Sequence, residues 1–70
     1  MSTEKHTLKA LSLLSFKAMR EIVEILPEAK TKRKKHVPGI GLAVFVYKEN
    51  KECIAHAFKD NGKVVLLVKQ

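Results

Sequence analysis

Residues 40–47 read Ile-Gly-Leu-Ala-Val-Phe-Val-Tyr, and this stretch decides the fold. β-branched and aromatic side chains dominate it, which makes it the strongest strand signal in the chain. Two further strands are predicted over residues 53–58 and 63–69, each bounded by polar turn residues. The tripeptide Asp60-Asn61-Gly62 is a tight-hairpin signal between these last two strands. Residues 40–69 are therefore predicted to form a three-stranded antiparallel meander.

Upstream of the meander, residues 8–26 show the period of an amphipathic helix. Apolar residues recur at steps of three and four, at Leu8, Leu11, Leu14, Ala18, Ile22 and Ile25 or Leu26. Pro27 ends the regular helix, and residues 27–39 are expected to form a basic loop. The sequence thus predicts an α+β fold with one N-terminal amphipathic helix packed on the meander. Seventy residues suit one small domain, so residues 1–70 are assigned to a single domain.

Both faces of the predicted meander are apolar. With a three-residue turn at 60–62, the helix is expected to cover Leu42, Val44, Val46, Ile54, Phe58, Val64, Leu66 and Val68. The second face would carry Phe45, Tyr47, Cys53, Ala55, Ala57, Val65 and Leu67. A sheet covered on one side usually shows polar residues on the other, so we expect this face to form a homodimer or partner interface. A two-residue Asn61-Gly62 turn would move the third strand by one residue and swap its faces.

The charge balance is the largest anomaly in the composition. Fourteen Lys and Arg against seven Asp and Glu give a net charge of +7, with a sequence pI near 9.8. Such an excess predicts a polyanionic partner. Length and composition exclude a multidomain enzyme, a nucleotide-binding Rossmann unit, an acidic nucleic-acid mimic and a disulfide-stapled scaffold.

Much of that charge lies in one short run. It consists of Lys30, Lys32, Arg33, Lys34, Lys35 and His36. A run of this kind stays extended by self-repulsion unless phosphates neutralise it, so it predicts contact with the backbone of DNA or RNA and little sequence readout. The alternatives are a solvated linker and a nuclear localisation signal.

Two other features point to nucleic acid. Residues 37–41, Val-Pro-Gly-Ile-Gly, resemble the hairpin of helix-hairpin-helix DNA-binding motifs. The resemblance covers five residues and implies that backbone N–H groups meet a phosphate, although that family has a helix where a strand is predicted here. In addition, Phe45 and Tyr47 alternate beside basic loops, so stacking of unpaired bases on their rings is a further hypothesis.

No motif for catalysis or metal binding is present. His6, His36, His56 and Cys53 lack the spacing of a metal site, and there is no phosphate loop, paired-carboxylate motif or nucleophile with a base. We therefore predict a protein that is not an enzyme and has no cofactor, metal or catalytic residue, with His56 at the rim or in the core.

Two other functions stay open at this level. One is a small regulatory protein, of the accessory type found on mobile elements or phages, that binds another protein through the exposed apolar sheet face. The other is a ribonuclease toxin, because a basic helix-plus-meander chain loosely resembles that compact class. The catalytic arginines that this resemblance implies near the end are missing, since only Lys63 and Lys69 occur there.

The compartment is predicted from cysteine usage and hydropathy. The chain has one cysteine, so no intrachain disulfide can form and a reducing interior is expected. No run of 18 apolar residues and no signal-peptide pattern occurs, so neither a membrane span nor secretion is expected. These observations predict a cytoplasmic protein, or a nuclear one if the host has a nucleus.

Overall fold

A computed structural model describes residues 4–69, which form a five-stranded antiparallel sheet and one short helix. The elements in chain order are β1 (Glu4–Thr7), α1 (Phe16–Ile25), β2 (Thr31–Val37), β3 (Gly41–Tyr47), β4 (Cys53–Asp60) and β5 (Lys63–Val68). The strand order in the sheet is β1-β5-β4-β3-β2, so β1 and β2 are its two edges.

The predicted fold of a helix on a three-stranded meander is therefore wrong, because two edge strands were missed. Strand β1 pairs with β5, with Glu4 opposite Val68. Strand β2 pairs with β3 along its whole length, from Thr31 opposite Tyr47 to Val37 opposite Gly41. An edge strand bonds to a neighbour on one side only and stays accessible to water, so polar and charged residues are tolerated in it. The predicted basic loop is thus largely strand.

The helix is shorter than predicted, since it spans Phe16–Ile25 and not 8–26. Ser15 is its N-cap, and the Ser15 Oγ accepts a hydrogen bond of 3.1 Å from the backbone N–H of Ala18. The same hydroxyl donates to the carbonyl oxygen of Ser12 at 2.8 Å. Side-chain capping of this kind satisfies one of the unpaired N–H groups at the start of a helix.

Residues 8–14 form an irregular segment that nevertheless contributes to the core. Leu8, Ala10 and Leu13 are buried there, whereas Leu11 and Leu14 of the predicted helical stripe are 80% and 47% exposed. The Glu21 carboxylate of α1 holds the segment in place, because it accepts hydrogen bonds from the backbone N–H groups of Lys9 and Ala10 at 2.7 and 2.8 Å.

The core lies between α1, the 8–14 segment and one face of the sheet, here called the covered face. Helix residues Ala18 and Ile22 are almost fully buried against it. The sheet contributes only aliphatic side chains, namely Val44, Val46, Ala55, Ala57, Val64, Leu66 and Val68. Burial of each larger aliphatic side chain stabilises the fold by about 1.5–3 kcal/mol, so this layer supplies most of the driving force for folding.

Two features determine which side chains of β4 point to the core. Each of them shifts the strand pairing by one residue relative to the predicted register. The β4–β5 turn contains two residues, Asn61 and Gly62, with positive φ values of 55° and 78°, as a type I′ hairpin requires. Between β3 and β4 the register shifts, because Tyr47 pairs with Cys53 whereas Val46 pairs with Ala55. Ile54 is the extra residue of this β-bulge, which reverses the faces of the strand that follows.

The predicted faces of β4 are therefore exchanged. Ala55 and Ala57 lie in the core and not on the second sheet face, where they were predicted as dimer or partner interface residues. His56 and Phe58 lie on the opposite side, here called the open face, on which no helix packs in the described chain. Ile54 stays partly buried against the core.

Candidate nucleic-acid interface

The basic run is displayed by edge strand β2, so its cations point alternately to the two sides of the sheet. Lys32 pairs with Val46 of β3, which places it on the margin of the covered face together with Lys34 and His36. Arg33 pairs with Phe45, so Arg33 and Lys35 lie on the margin of the open face. All of these side chains are exposed except Lys32, which is partly buried.

No acidic side chain neutralises this strand in the described chain. The ion pairs within residues 4–69 join His6 to Glu4 and Lys48 to Glu52, and neither involves β2. Lys30 precedes the strand, is exposed and donates its backbone N–H to the Tyr47 carbonyl oxygen at 2.9 Å. The sheet edge is therefore a line of uncompensated positive charge.

Three rings form a continuous row in the middle of the open face, here called the ring row. The centroids of Phe45 and His56 are 5.8 Å apart, and those of His56 and Phe58 are 6.0 Å apart. The interplanar angles are 27° and 20°, so the three rings are close to parallel. All three side chains are half-buried, and the Lys35 Nζ lies 5.7 Å from the Phe45 centroid in a cation–π contact. The ring row thus begins directly beside the basic edge.

His56 is the one residue of the row that has polar atoms. Its Nδ1 atom is buried and makes no hydrogen bond to any described residue. Burial lowers the pKa of His56 below its ordinary value of 6.5, and the positive charge of Lys69 lowers it further. The lowered pKa favours the neutral imidazole at pH 7, and one ring nitrogen is left without a partner among the described residues.

A shallow pocket continues the open face beyond the ring row, at the end of β3. It has a volume of about 320 Å³ and is lined by Thr31, Arg33, Tyr47 and Lys51. Two cations and a phenol ring therefore surround a space that is open to solvent. A planar group with a negative charge beside it fits this combination.

The predicted interface residues fall into two groups in the structure. Phe45, Tyr47, Cys53 and Leu67 are half-buried on the open face, and Val65 is buried there beside Phe58. The other two, Ala55 and Ala57, belong to the core, as described above. The prediction missed His56 and Phe58 as open-face residues. The Asn61-Gly62 pair strongly favours a two-residue hairpin, so the register between β4 and β5 could have been predicted from the sequence. The bulge at Ile54, which shifts β4 against β3, has no comparable sequence signal.

The segment that resembles a helix-hairpin-helix hairpin has a different role. Residues 38–40 form the turn between β2 and β3, and the Ile40 N–H donates to the Val37 carbonyl oxygen at 3.1 Å. Gly39 and Gly41 have φ values of +84° and +99°, which explains glycine at both positions. A strand and not a helix follows, so the segment is a β-hairpin turn and the resemblance does not extend to the structure.

The remaining chemistry of the described residues is sparse. Residues 4–69 contain no group of three or more His, Cys, Asp or Glu side chains arranged to hold a metal ion. None of the helical structure in that range is long and apolar enough to cross a membrane. The Cys53 thiol is half-buried and lies 3.6 Å from the carbonyl oxygen of Ala55.

Comparison with protein-family models, with curated proteins and with solved structures finds no match for the chain.

Proposed function

We propose that this protein binds nucleic acid by contacting the phosphate backbone with edge strand β2, with little dependence on sequence. The contacting residues are Lys30, Lys32, Arg33, Lys34, Lys35 and His36. The observation that carries the proposal is the uncompensated line of cations on an accessible sheet edge. Binding would release counterions from the phosphates, which gives affinity without base readout.

The helix supports low sequence specificity. Reading bases in the major groove usually requires an exposed helix or a free two-stranded ribbon. The outer surface of α1 mixes Lys17 and Arg20 with Glu21 and Glu24, and these residues line one shallow pocket. Two carboxylates on that surface would repel phosphates, so α1 is a poor reading helix.

The proposal includes no catalytic step and places the protein in the cytoplasm, or in the nucleus of a host that has one. The support for this compartment is the single cysteine, since small secreted domains usually carry disulfides.

The test is fluorescence anisotropy of labelled DNA and RNA across a salt series, with two variants of equal charge. In the first variant Lys32, Arg33, Lys34 and Lys35 become Gln, and in the matched control Lys9, Lys17, Arg20 and Lys59 become Gln. Each lowers the net charge of +7 by four, to +3.

The β2 variant is expected to raise Kd by roughly 30-fold, because four charged contacts are lost. It should also reduce the slope of log K against log salt by about 3, whereas the control should change both values much less. Equal losses in the two variants would show that net charge alone drives binding and would contradict the assignment of β2.

A second candidate is the protein-binding regulator, favoured by one apolar patch. Leu14, Ile40 and Leu42 are 47%, 53% and 42% exposed and line a pocket of about 340 Å³ at the end of the sheet. On this hypothesis, replacing Ile40 and Leu42 by Thr abolishes capture of a protein partner and leaves affinity for nucleic acid unchanged. Loss of nucleic-acid binding in that variant would contradict a separate protein-docking role for the patch.

A further inference from the structure

The open face places aromatic rings between two basic margins. Resting on the proposed function, we propose that the bound nucleic acid is single-stranded and that its bases stack on the ring row of Phe45, His56 and Phe58. The phosphates then follow the basic margin formed by Arg33 and Lys35.

The spacing and the accessibility of the three rings suit the stacking of bases. Phe45 faces His56 across the β3–β4 ladder, and Phe58 follows His56 by two residues on the same strand, so backbone pairing fixes the spacing of the row. The rings are stacked nearly parallel to one another and are partly accessible, so part of their aromatic surface is open to contact with a planar base. Every unpaired base has such a planar face, whereas the bases of a duplex are stacked inside it and cannot reach the sheet.

Positive charges lie on both sides of the ring row. Arg33 lies beside Phe45, and Lys35 contacts the same ring from one margin. At the other margin, Lys5 of β1 pairs with Leu67, which in turn pairs with His56, and the charge of Lys69 is felt at the imidazole. A strand whose bases cover the rings therefore has cations within reach on either side of its backbone.

Acidic residues are confined to the periphery of this face. Asp60 lies two residues beyond Phe58 at the end of β4, beside the turn, and it pairs with Lys63. Within the strand register of residues 4–69, no carboxylate lies between the ring row and β2. The path from the basic edge to the rings is thus free of like charge for a polyanion.

The pocket at Tyr47 extends the row by one more position. Tyr47 follows Phe45 by two residues on β3, which places its ring about 7 Å further along the same face. Arg33 and Lys51 line the same space of about 320 Å³. A further base beside Tyr47, with its phosphate on these cations, continues the stacked path.

His56 also contributes a polar atom that lacks a hydrogen-bond partner among the described residues. This atom is Nδ1, and burial lowers the pKa of His56, which favours the neutral ring. Base edges carry both donors and acceptors, but because this nitrogen is buried, a base can bond to it only if the imidazole turns outward on binding. A purely apolar partner would leave the nitrogen buried and unpaired, which is unfavourable.

The main rival occupant is a second copy of the chain, packed sheet to sheet. Such packing would bring the Arg33, Lys35 and Lys5 side chains of two protomers close to one another at the margins of one interface. Like charges at short distance in a partly desolvated interface repel strongly. Charge complementarity therefore favours a polyanion over a second copy on this face.

The experiment compares Phe45→Leu/Phe58→Leu with Phe16→Leu, a control on α1 whose ring is 77% exposed. The probes are labelled oligo(dT), oligo(U) and a DNA duplex of the same length, each titrated by anisotropy. The ring variant is expected to weaken binding of single strands by roughly 30-fold and to change duplex binding less than about twofold. Phe16→Leu should change neither.

An independent readout is tyrosine fluorescence, because the chain has one Tyr, Tyr47, and no Trp. Quenching of this signal by oligo(dT) or oligo(U), but not by duplex, supports base stacking on the open face. The ratio of the two affinities then tells DNA from RNA. Circular dichroism and a thermal melt of the ring variant verify that it is folded, and His56→Leu serves as a second variant if it is not.

The outcomes separate this inference from the function on which it rests. Single-strand affinity that survives loss of the rings but not loss of β2 charge overturns base stacking and leaves the phosphate-binding proposal intact. If the wild-type protein binds no probe at low salt, both are overturned. A dimer that dissociates in the ring variant, with single-strand affinity unchanged, overturns the inference in favour of a self-interface.

Discussion

The two faces of the sheet are built from the same five strands but from different kinds of side chain. The covered face contains only aliphatic residues in its core, and alanines occupy the middle strand at positions 55 and 57 beneath the helix. The open face contains the ring row, half-buried Tyr47 and the basic margin of β2. The comparison shows that each strand contributes to stability with one set of residues and is free to contribute to binding with the other.

The separation depends on alternation, because neighbouring residues of a strand point to opposite faces. Substitutions at adjacent positions should therefore have different consequences. A change on the covered face should lower the free energy of unfolding, and a change on the open face should alter ligand affinity.

The largest expected effect comes from truncating Leu66, which is fully buried on the covered face. Leu66→Ala should lower the free energy of unfolding by about 2–5 kcal/mol, because it leaves a cavity in a thin core. Leu67→Ala is the matched control on the open face, where the side chain is half-buried, and it should cost less than about 1.5 kcal/mol. Urea unfolding followed by circular dichroism measures both, and equal losses would contradict the assignment of faces.

The next effect compares cations on the two sides of β2. Arg33→Gln/Lys35→Gln should raise the Kd for single strands by about tenfold, because these residues flank the ring row. Lys32→Gln/Lys34→Gln removes the same charge from the covered side and should raise Kd by only about threefold. Anisotropy titrations at one salt concentration make the comparison, and the reverse order of effects would place the ligand on the covered side.

A smaller effect is expected at the helix cap. Ser15→Ala removes the hydroxyl that accepts from the Ala18 N–H, so the free energy of unfolding should fall by about 1 kcal/mol. Affinity for nucleic acid should stay unchanged, since the cap lies with α1 on the covered side. Ser12→Ala is a suitable control, because only the Ser12 backbone carbonyl takes part in this contact. A matching loss of affinity would show that the two faces are coupled.

The smallest effect is a pH dependence that comes from His56. Its pKa is lowered in the folded state, so the unfolded chain binds a proton first as the pH falls through 6.5. The stability contributed by the neutral ring is complete above pH 6.5 and decreases as the pH falls toward the lower folded pKa. His56→Phe keeps a ring but cannot titrate, so its loss of stability between about pH 8 and about pH 5 should be smaller than that of wild type. Lys5 and Arg33 lie on the same face of the sheet, and the positive charge of Lys69 lowers the pKa of His56 in the same direction as burial. An identical pH dependence in the two proteins would contradict this role of His56.

Much of the inner sheet could be predicted from the sequence. Strands predicted over 40–47, 53–58 and 63–69 correspond to Gly41–Tyr47, Cys53–Asp60 and Lys63–Val68. These segments are rich in β-branched residues and are buried on at least one face, so composition and structure agree. The candidate cations of β2 were also visible as a charge run, although not as a strand.

The two edge strands and the faces of β4 could not be predicted, because they depend on contacts with other parts of the chain. Thr31–Val37 has no apolar face and becomes a strand only because its backbone pairs with β3, so propensity alone favours a loop. The short strand Glu4–Thr7 forms because β5 offers it a partner more than fifty residues away. The ring row was not predicted, because a single extra residue in the strand, Ile54, determines which side of β4 faces the core. A shift of one residue in register exchanges every side chain of a strand between faces.

The pairing of β1 with β5 has a consequence for folding. Strands β2 to β5 are joined by short turns and can pair locally, but β1 can add to the sheet only after β5 is available. Until then β5 has an unpaired edge with the sequence Val-Val-Leu-Leu-Val, which is the type of segment that pairs with other chains. Four polar residues, Glu4–Thr7, cover this edge in the folded protein. By covering this edge, β1 keeps the folded protein from pairing with other chains through β5. During folding, such pairing is possible until β1 has docked on β5.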